Sequence, residues 1–143
     1  MAVRLPGDDG RSRTEGLKIL LVEDEAMVAM MIEDMLAELG CTVVGVAGTL
    51  SQGVALAGDE SLEIDGALLD VNLGGEKVFP VAERLAARGV PFIFSTGYGI
   101  AGIAEAFART PTLAKPYGRE ALGDMLATVM RATSRAHGAY RDP

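Results

Sequence analysis

At 143 residues with a single cysteine, the chain fits one domain with a sizeable core, without an internal disulfide or a cysteine-cluster zinc site. Its formal net charge of −7 argues against nonspecific nucleic-acid binding, which needs a basic surface. No apolar run reaches the roughly 18 residues that span a bilayer, and the N-terminus lacks a signal-peptide core. The expectation is a cytoplasmic protein that engages neither nucleic acid nor membrane.

Residues 1–16 mix Arg, Asp, Gly, Ser and Thr and read as a flexible leader. The apolar run 18–22 predicts a first strand, ending in Glu23-Asp24. Asp24-Glu25 opens a helix with Met27, Val28, Met31, Ile32, Met35, Leu36 and Leu39 at helical spacing, closed by Gly40. The four-residue spacing of Met27, Met31 and Met35 reads as core or core-edge. Cys41, a buried small hydrophobe on this reading, begins the β-branched run 42–47.

Thr49 caps a second helix that carries Leu50, Val54 and Leu56. Residues 64–69 form a third apolar run, and Asp70 follows it. Gly74-Gly75 break the chain before a helix with Val78, Val81, Ala82 and Leu85, which runs to Gly89 with Pro80 in its first turns. The run 91–95 ends in Thr96. Gly97, Gly99 and Gly102 then precede a short helix at 103–107, and they read equally as a bistable element or as a plain loop. The run 112–114 ends in Lys115. A last helix over about 118–131 carries Leu122, Met125, Leu126 and Val129, and 135–143 is a polar tail. The expected domain is 17–134.

The order is βα five times. Short apolar strands alternating with amphipathic helices predict an α/β fold, a doubly wound parallel sheet covered on both faces. In such a sheet ligands bind at the carboxyl ends of the strands. Those ends carry Glu23, Asp24, Asp70, Thr96 and Lys115. Singly each has a structural explanation: a helix cap for Asp24, a turn for Thr96, a surface loop for Lys115-Pro116. Together they make an oxygen-ligand site for Mg²⁺ from Glu23, Asp24, Asp70 and the backbone carbonyl of Asn72. Asp70 is then placed to attack phosphorus and become an aspartyl phosphate, with the Lys115 ammonium and Thr96 hydroxyl on the transferring oxygens.

At these residues the chain resembles the receiver domains of two-component response regulators. The likeness covers nearly all of residues 17–130. Its motifs are Leu-Val-Glu-Asp-Glu at 21–25, Leu-Leu-Asp-Val-Asn-Leu at 68–73, Phe-Ser-Thr-Gly-Tyr at 94–98 and Ala-Lys-Pro-Tyr at 114–117. The resemblance implies Asp70 as phosphoacceptor, Glu23 and Asp24 as the metal-binding acid pair, Thr96 as the hydroxyl and Lys115 as the lysine, with a cis bond to Pro116. It also implies a flavodoxin-like sheet in the order 2-1-3-4-5. Phe-Ser-Thr-Gly-Tyr is similar to the Phe-Ala-Thr-Gly pattern of one receiver subgroup, often single-domain. Glu23 stands where many members have Asp. Thr112 stands where many carry an aromatic switch residue, a place that Tyr98 or Tyr117 would have to fill.

The expected function is a single-domain response regulator taking a phosphoryl group from the phosphohistidine of a sensor histidine kinase or phosphotransfer protein. Output passes to an unknown downstream protein, or the chain drains phosphoryl groups from a kinase. The alternative is a receiver-like binding module that works without phosphorylation. Phosphohydrolases with an aspartate nucleophile usually carry a second acid two residues on, where this chain has Asn72, so the expectation is not an enzyme. A monomer or weak homodimer is expected. His137, in the tail, carries no assigned relay role.

Overall fold

The structure is a computed structural model that describes residues 13–97 and 103–141. Of the sequence readings, residues 1–12 of the leader and Tyr98, Gly99 and Gly102 lie outside the described residues. In chain order the elements are β1 (Lys18–Val22), α1 (Ala26–Glu38), β2 (Thr42–Ala47), α2 (Leu50–Gly58), β3 (Gly66–Asp70), β4 (Asn72–Leu73) and β5 (Glu76–Lys77). Then follow α3 (Phe79–Ala87), β6 (Phe92–Thr96), a 3₁₀ turn (Glu105–Phe107), β7 (Thr112–Ala114) and α4 (Arg119–Arg141).

Five strands make one parallel sheet in the order β2-β1-β3-β6-β7, which is 2-1-3-4-5 when the main strands alone are counted. Successive side chains on a strand point to opposite faces, and β1 shows the consequence. Ile19 and Leu21 join Leu68 and Ile93 in a layer closed by Ile32 and Leu36 of α1 and Leu122 and Leu126 of α4. Leu20 and Val22 join Leu69 and Phe94 in the opposite layer, closed by Ala57 of α2 and Val81 and Leu85 of α3. Both faces are therefore dry, as a doubly wound sheet requires. Among the described residues no helix is long and apolar enough to cross a membrane.

Several local expectations are met. Thr49 caps α2, its hydroxyl oxygen accepting from the Gln52 amide at 3.2 Å. Pro80 sits in the first turn of α3. Cys41 is buried, and burial together with the Glu15 charge pushes its thiol up to about 11.

Others are corrected. The stretch 103–107 is a single 3₁₀ turn at Glu105–Phe107 rather than an α-helix. It is held from below by aromatic packing: Phe107 stacks on Phe79 and meets Phe92 and Phe94 edge-on. Helix α4 runs on to Arg141 and takes in most of the expected polar tail, a stretch rich in the helix formers Ala and Arg. Met35 is core-edge as expected, packed against the α1 side of the core, but Met27 and Met31 are not. Ala29, Ile32 and Leu36 fill the buried face of α1, which leaves Met27 79% and Met31 63% exposed, with Met30 beside them.

The C-terminal end of the expected leader is packed. Thr14 is buried and donates its hydroxyl to the Leu39 carbonyl at 2.6 Å, and the Gly16 amide donates to the Gly40 carbonyl at 2.8 Å. These bonds satisfy carbonyls at the end of α1 that no helical partner reaches.

A two-stranded hairpin absent from the sequence reading follows Asp70. Strands β4 and β5 pair Asn72 with Lys77 and Leu73 with Glu76. Its two central residues, Gly74 and Gly75, have φ of +58° and +92°, the positive values that a tight hairpin turn of this length demands and that glycine adopts without strain.

Candidate functional site

Strand register brings the polar strand ends together. Val22 pairs with Leu69, so the next residue on each strand puts Glu23 beside Asp70. Asp70 itself pairs with Ser95, and Thr96 pairs with Ala114, which leaves Lys115 at the following position. The Lys115 amide donates to the Thr96 carbonyl at 2.9 Å, tying the two ends. The Lys115–Pro116 peptide is cis.

Glu23 and Asp70 are only 2% and 6% exposed. Lys115 lies between them, its Nζ 2.8 Å from Glu23 Oε1 and 3.2 Å from Asp70 Oδ2. Glu23 Oε2 accepts from the Glu25 amide at 3.1 Å, and Asp70 Oδ1 from the Asn72 amide at 3.2 Å. Thr96 is buried at the end of β6.

Asp24 is exposed and does not cap α1. Its Oδ2 accepts from the Gly74 amide at 3.0 Å, so it fastens the turn of the β4–β5 hairpin. Lys77 on β5 donates to Asn72 Oδ1 at 2.6 Å. Sequence reasoning missed this hairpin and its two anchors. The signal was there, since Asn-Leu-Gly-Gly-Glu-Lys sets a glycine pair between two short flanks.

The electrostatics follow from burying two acids around one base. Burial and then the Glu23 charge push the Asp70 carboxyl up to about 7, against the pull of Lys115. Burial works against the Lys115 ammonium, but the hydrogen bond to Glu23 and the charges of Asp70 and Glu23 win and raise it.

Glu23, Asp24 and Glu25 can each bring a carboxylate oxygen within 4.8 Å of the others. The fit to Mg²⁺ rests on these donors. They are hard oxygens, and the two buried acids Glu23 and Asp70 share the single positive charge of Lys115. A divalent cation suits that surplus. Glu23, Asp24 and Glu25 are the residues that meet this spacing; the expected ligand Asp70 is not in the group, and Glu25 was not expected.

A flavodoxin-like sheet in the 2-1-3-4-5 order, with acids and a lysine at its carboxyl edge, is the architecture of receiver domains. The chain belongs to the receiver (REC) domain family of response regulators. It is 46% identical to SdrG from Sphingomonas melonis Fr1, covering 80% of this chain and 97% of that one with a TM-score of 0.69. SdrG has also been solved in a BeF3-activated conformation. The receiver domain of the sensor histidine kinase PA1611 from Pseudomonas aeruginosa PAO1, solved with a magnesium ion in its active-site cleft, is 30% identical. That match covers 81% of this chain and 98% of the other, with a TM-score of 0.69.

Among curated proteins, the regulator PhyR of Methylorubrum extorquens is 37% identical over 83 residues, 57% of this chain and 31% of PhyR. PdtaR of Mycobacterium tuberculosis is 27% identical over 122 residues, 82% of this chain and 57% of PdtaR. The chain thus spans about a third to just over half the length of these curated relatives. No protein-family model matches the chain.

Proposed function

We propose that Asp70 accepts a phosphoryl group from the phosphohistidine of a sensor histidine kinase or phosphotransfer protein, as the switch step of a phosphorelay. The observation that carries this reading is the shared lysine: Lys115 holds the buried Asp70 carboxylate at 3.2 Å, at the strand edge where the fold presents ligands. In the step, a carboxylate oxygen of Asp70 forms a bond to phosphorus. The phosphorus–nitrogen bond of the donor breaks, and its electron pair returns to the imidazole.

Lys115 pairs with a phosphoryl oxygen and Thr96 donates its hydroxyl to another. Glu23, Asp24 and Asp70, with the Asn72 carbonyl, would hold Mg²⁺, which when bound draws negative charge off the phosphoryl oxygens. The exposed methionines Met27, Met30 and Met31, on the helix that starts three residues after Glu23, support a protein as the donor. Flexible thioethers suit a surface that takes up a partner helix. The reading of the chain as a single-domain regulator, passing its signal by protein contact or draining phosphoryl groups from a kinase, is supported by the match over 97% of SdrG.

The test is incubation with acetyl phosphate, with and without Mg²⁺, followed by intact-mass measurement. One added phosphoryl group in the wild type with Mg²⁺, and none in Asp70→Asn, is expected. Equal labelling of Asp70→Asn would move the acceptor elsewhere. No labelling of either, with partner binding retained, would favour a module that works without phosphorylation.

A further inference from the structure

Three of the four large hydrophobic side chains exposed among the described residues are methionines of one helix: Met27, Met30 and Met31. Their exposures of 79%, 63% and 63% are those of solvated side chains. Spacings of three and four residues make them neighbours on the surface of α1. They lie away from Ala29, Ile32 and Leu36, which are buried. Further along α1 the exposed positions include the acids Asp34 and Glu38. The apolar stretch is thus confined to the end of α1 nearest the site, where the helix starts three residues after Glu23.

Burial does not explain this choice of residue. Leucine, lysine and glutamate form helix about as well as methionine. Two properties set methionine apart: an adaptable side chain, and a sulfur that takes up an oxygen atom. The first supports docking of a protein phosphodonor. The second leaves the same face open to oxidation. Other sulfurs among the described residues are shielded: Met35 and Met125 are half-buried, Met130 is 7% exposed and Cys41 is buried.

We propose that Met27, Met30 and Met31 form a modification site for hydroperoxides, and that their oxidation closes Asp70 to a protein phosphodonor while leaving it open to small acyl phosphates. The role rests on the proposed function of Asp70. In the step, a thioether sulfur attacks one oxygen of hydrogen peroxide. A sulfur–oxygen bond forms and the oxygen–oxygen bond breaks. The departing hydroxide takes the proton of the transferred oxygen and leaves as water. Sulfur is oxidised to the sulfoxide, and the peroxide is reduced. An apolar group becomes a polar one, which a docked helix would have to desolvate. Acetyl phosphate needs no such face.

Brief treatment with hydrogen peroxide, followed by peptide mass mapping, is expected to place one oxygen on each of Met27, Met30 and Met31 before Met35, Met125, Met130 or Cys41. Phosphoryl uptake is then compared from two sources. One is acetyl phosphate with Mg²⁺. The other is a panel of autophosphorylated histidine kinases, of which those that label the untreated wild type are used. Oxidation is expected to slow transfer from the kinase about tenfold and to leave labelling by acetyl phosphate unchanged. Methionine sulfoxide reductase is expected to restore the kinase rate. The combined variant Met27→Leu, Met30→Leu and Met31→Leu sets its own kinase rate, and peroxide is expected to leave that rate unaltered.

Oxygen found first on the shielded sulfurs would overturn the proposal. So would kinase transfer that stays at its untreated rate with all three methionines oxidised, or a peroxide effect that persists in the leucine variant. Loss of acetyl phosphate labelling together with kinase transfer would place the damage at the site itself and overturn it too. In each of these cases the function of Asp70 stands. Labelling by acetyl phosphate but by none of the kinases overturns the protein donor and this role with it. A wild type labelled by neither source overturns the function of Asp70 as well.

Discussion

Lys115 lies closer to Glu23 than to Asp70, at 2.8 Å against 3.2 Å. The glutamate is the more deeply buried of the two acids, and its other oxygen is already held by the Glu25 amide. At rest the lysine thus serves as the counter-ion of Glu23 as much as the partner of Asp70. A buried carboxylate stripped of its cation is costly. Lys115→Met is therefore expected to lower unfolding free energy by about 2 kcal/mol in chelator, and adding Glu23→Gln to recover more than half of that. Urea unfolding of the single and double variants checks it; a double variant as unstable as the sum of the singles would refute the pairing.

The raised Asp70 carboxyl predicts a pH dependence with a definite sign. The folded chain keeps this proton up to about pH 7, whereas the unfolded chain loses it near 3.8. Between about pH 4 and 7 the folded state binds more protons, so metal-free stability falls as pH rises through that window and levels off above it. Asp70→Asn removes the slope. It is expected to be more stable than wild type by about 1–2 kcal/mol at pH 7.5, after solvent screening at the rim, and to differ little at pH 4. Thermal melts in chelator at both values measure it, and a difference that grows toward acid pH would contradict it.

Thr14 gives a prediction at the far end of the sheet. Its hydroxyl is buried against the Leu39 carbonyl, so Thr14→Val keeps the shape and loses the bond. A cost of about 1–2 kcal/mol is expected in chemical denaturation, with phosphoryl uptake from acetyl phosphate unchanged.

Arg88 joins α3 to the end of α2. Its guanidinium donates to the carbonyls of Ala57 at 2.9 Å, Asp59 at 3.2 Å and Leu62 at 2.8 Å. One planar fork serves three acceptors, a geometry that lysine cannot copy. Arg88→Met is expected to cost about 2 kcal/mol, and Arg88→Lys to recover less than half. Full recovery by lysine would show that charge alone matters there.

Much of the architecture was legible because its signals are local or periodic. The β-branched run at 42–47 and the short run at 112–114 became strands with those bounds. The gathering of Glu23, Asp70, Thr96 and Lys115 at one edge followed from parallel order alone. What was not legible depends on non-local choices. Four-residue spacing could not tell which side of α1 meets the sheet, and Ala29, Ile32 and Leu36 won that face over the methionines. The helix pattern at 103–107 yielded to the packing of Phe107 among three other phenylalanines. The bond between Asp24 and the Gly74 amide spans 50 positions in sequence, and no local pattern announces it.

That bond has a mechanical consequence. The β4–β5 hairpin is fastened at its tip to Asp24 and bridged at its base by Lys77 and Asn72, whose amide in turn holds Asp70. A loop so tied cannot yield at one point only. Asp24 lies in the loop after β1 and Asp70 ends the neighbouring β3, and the hairpin is hydrogen-bonded to both, a clasp with one handle at each acid.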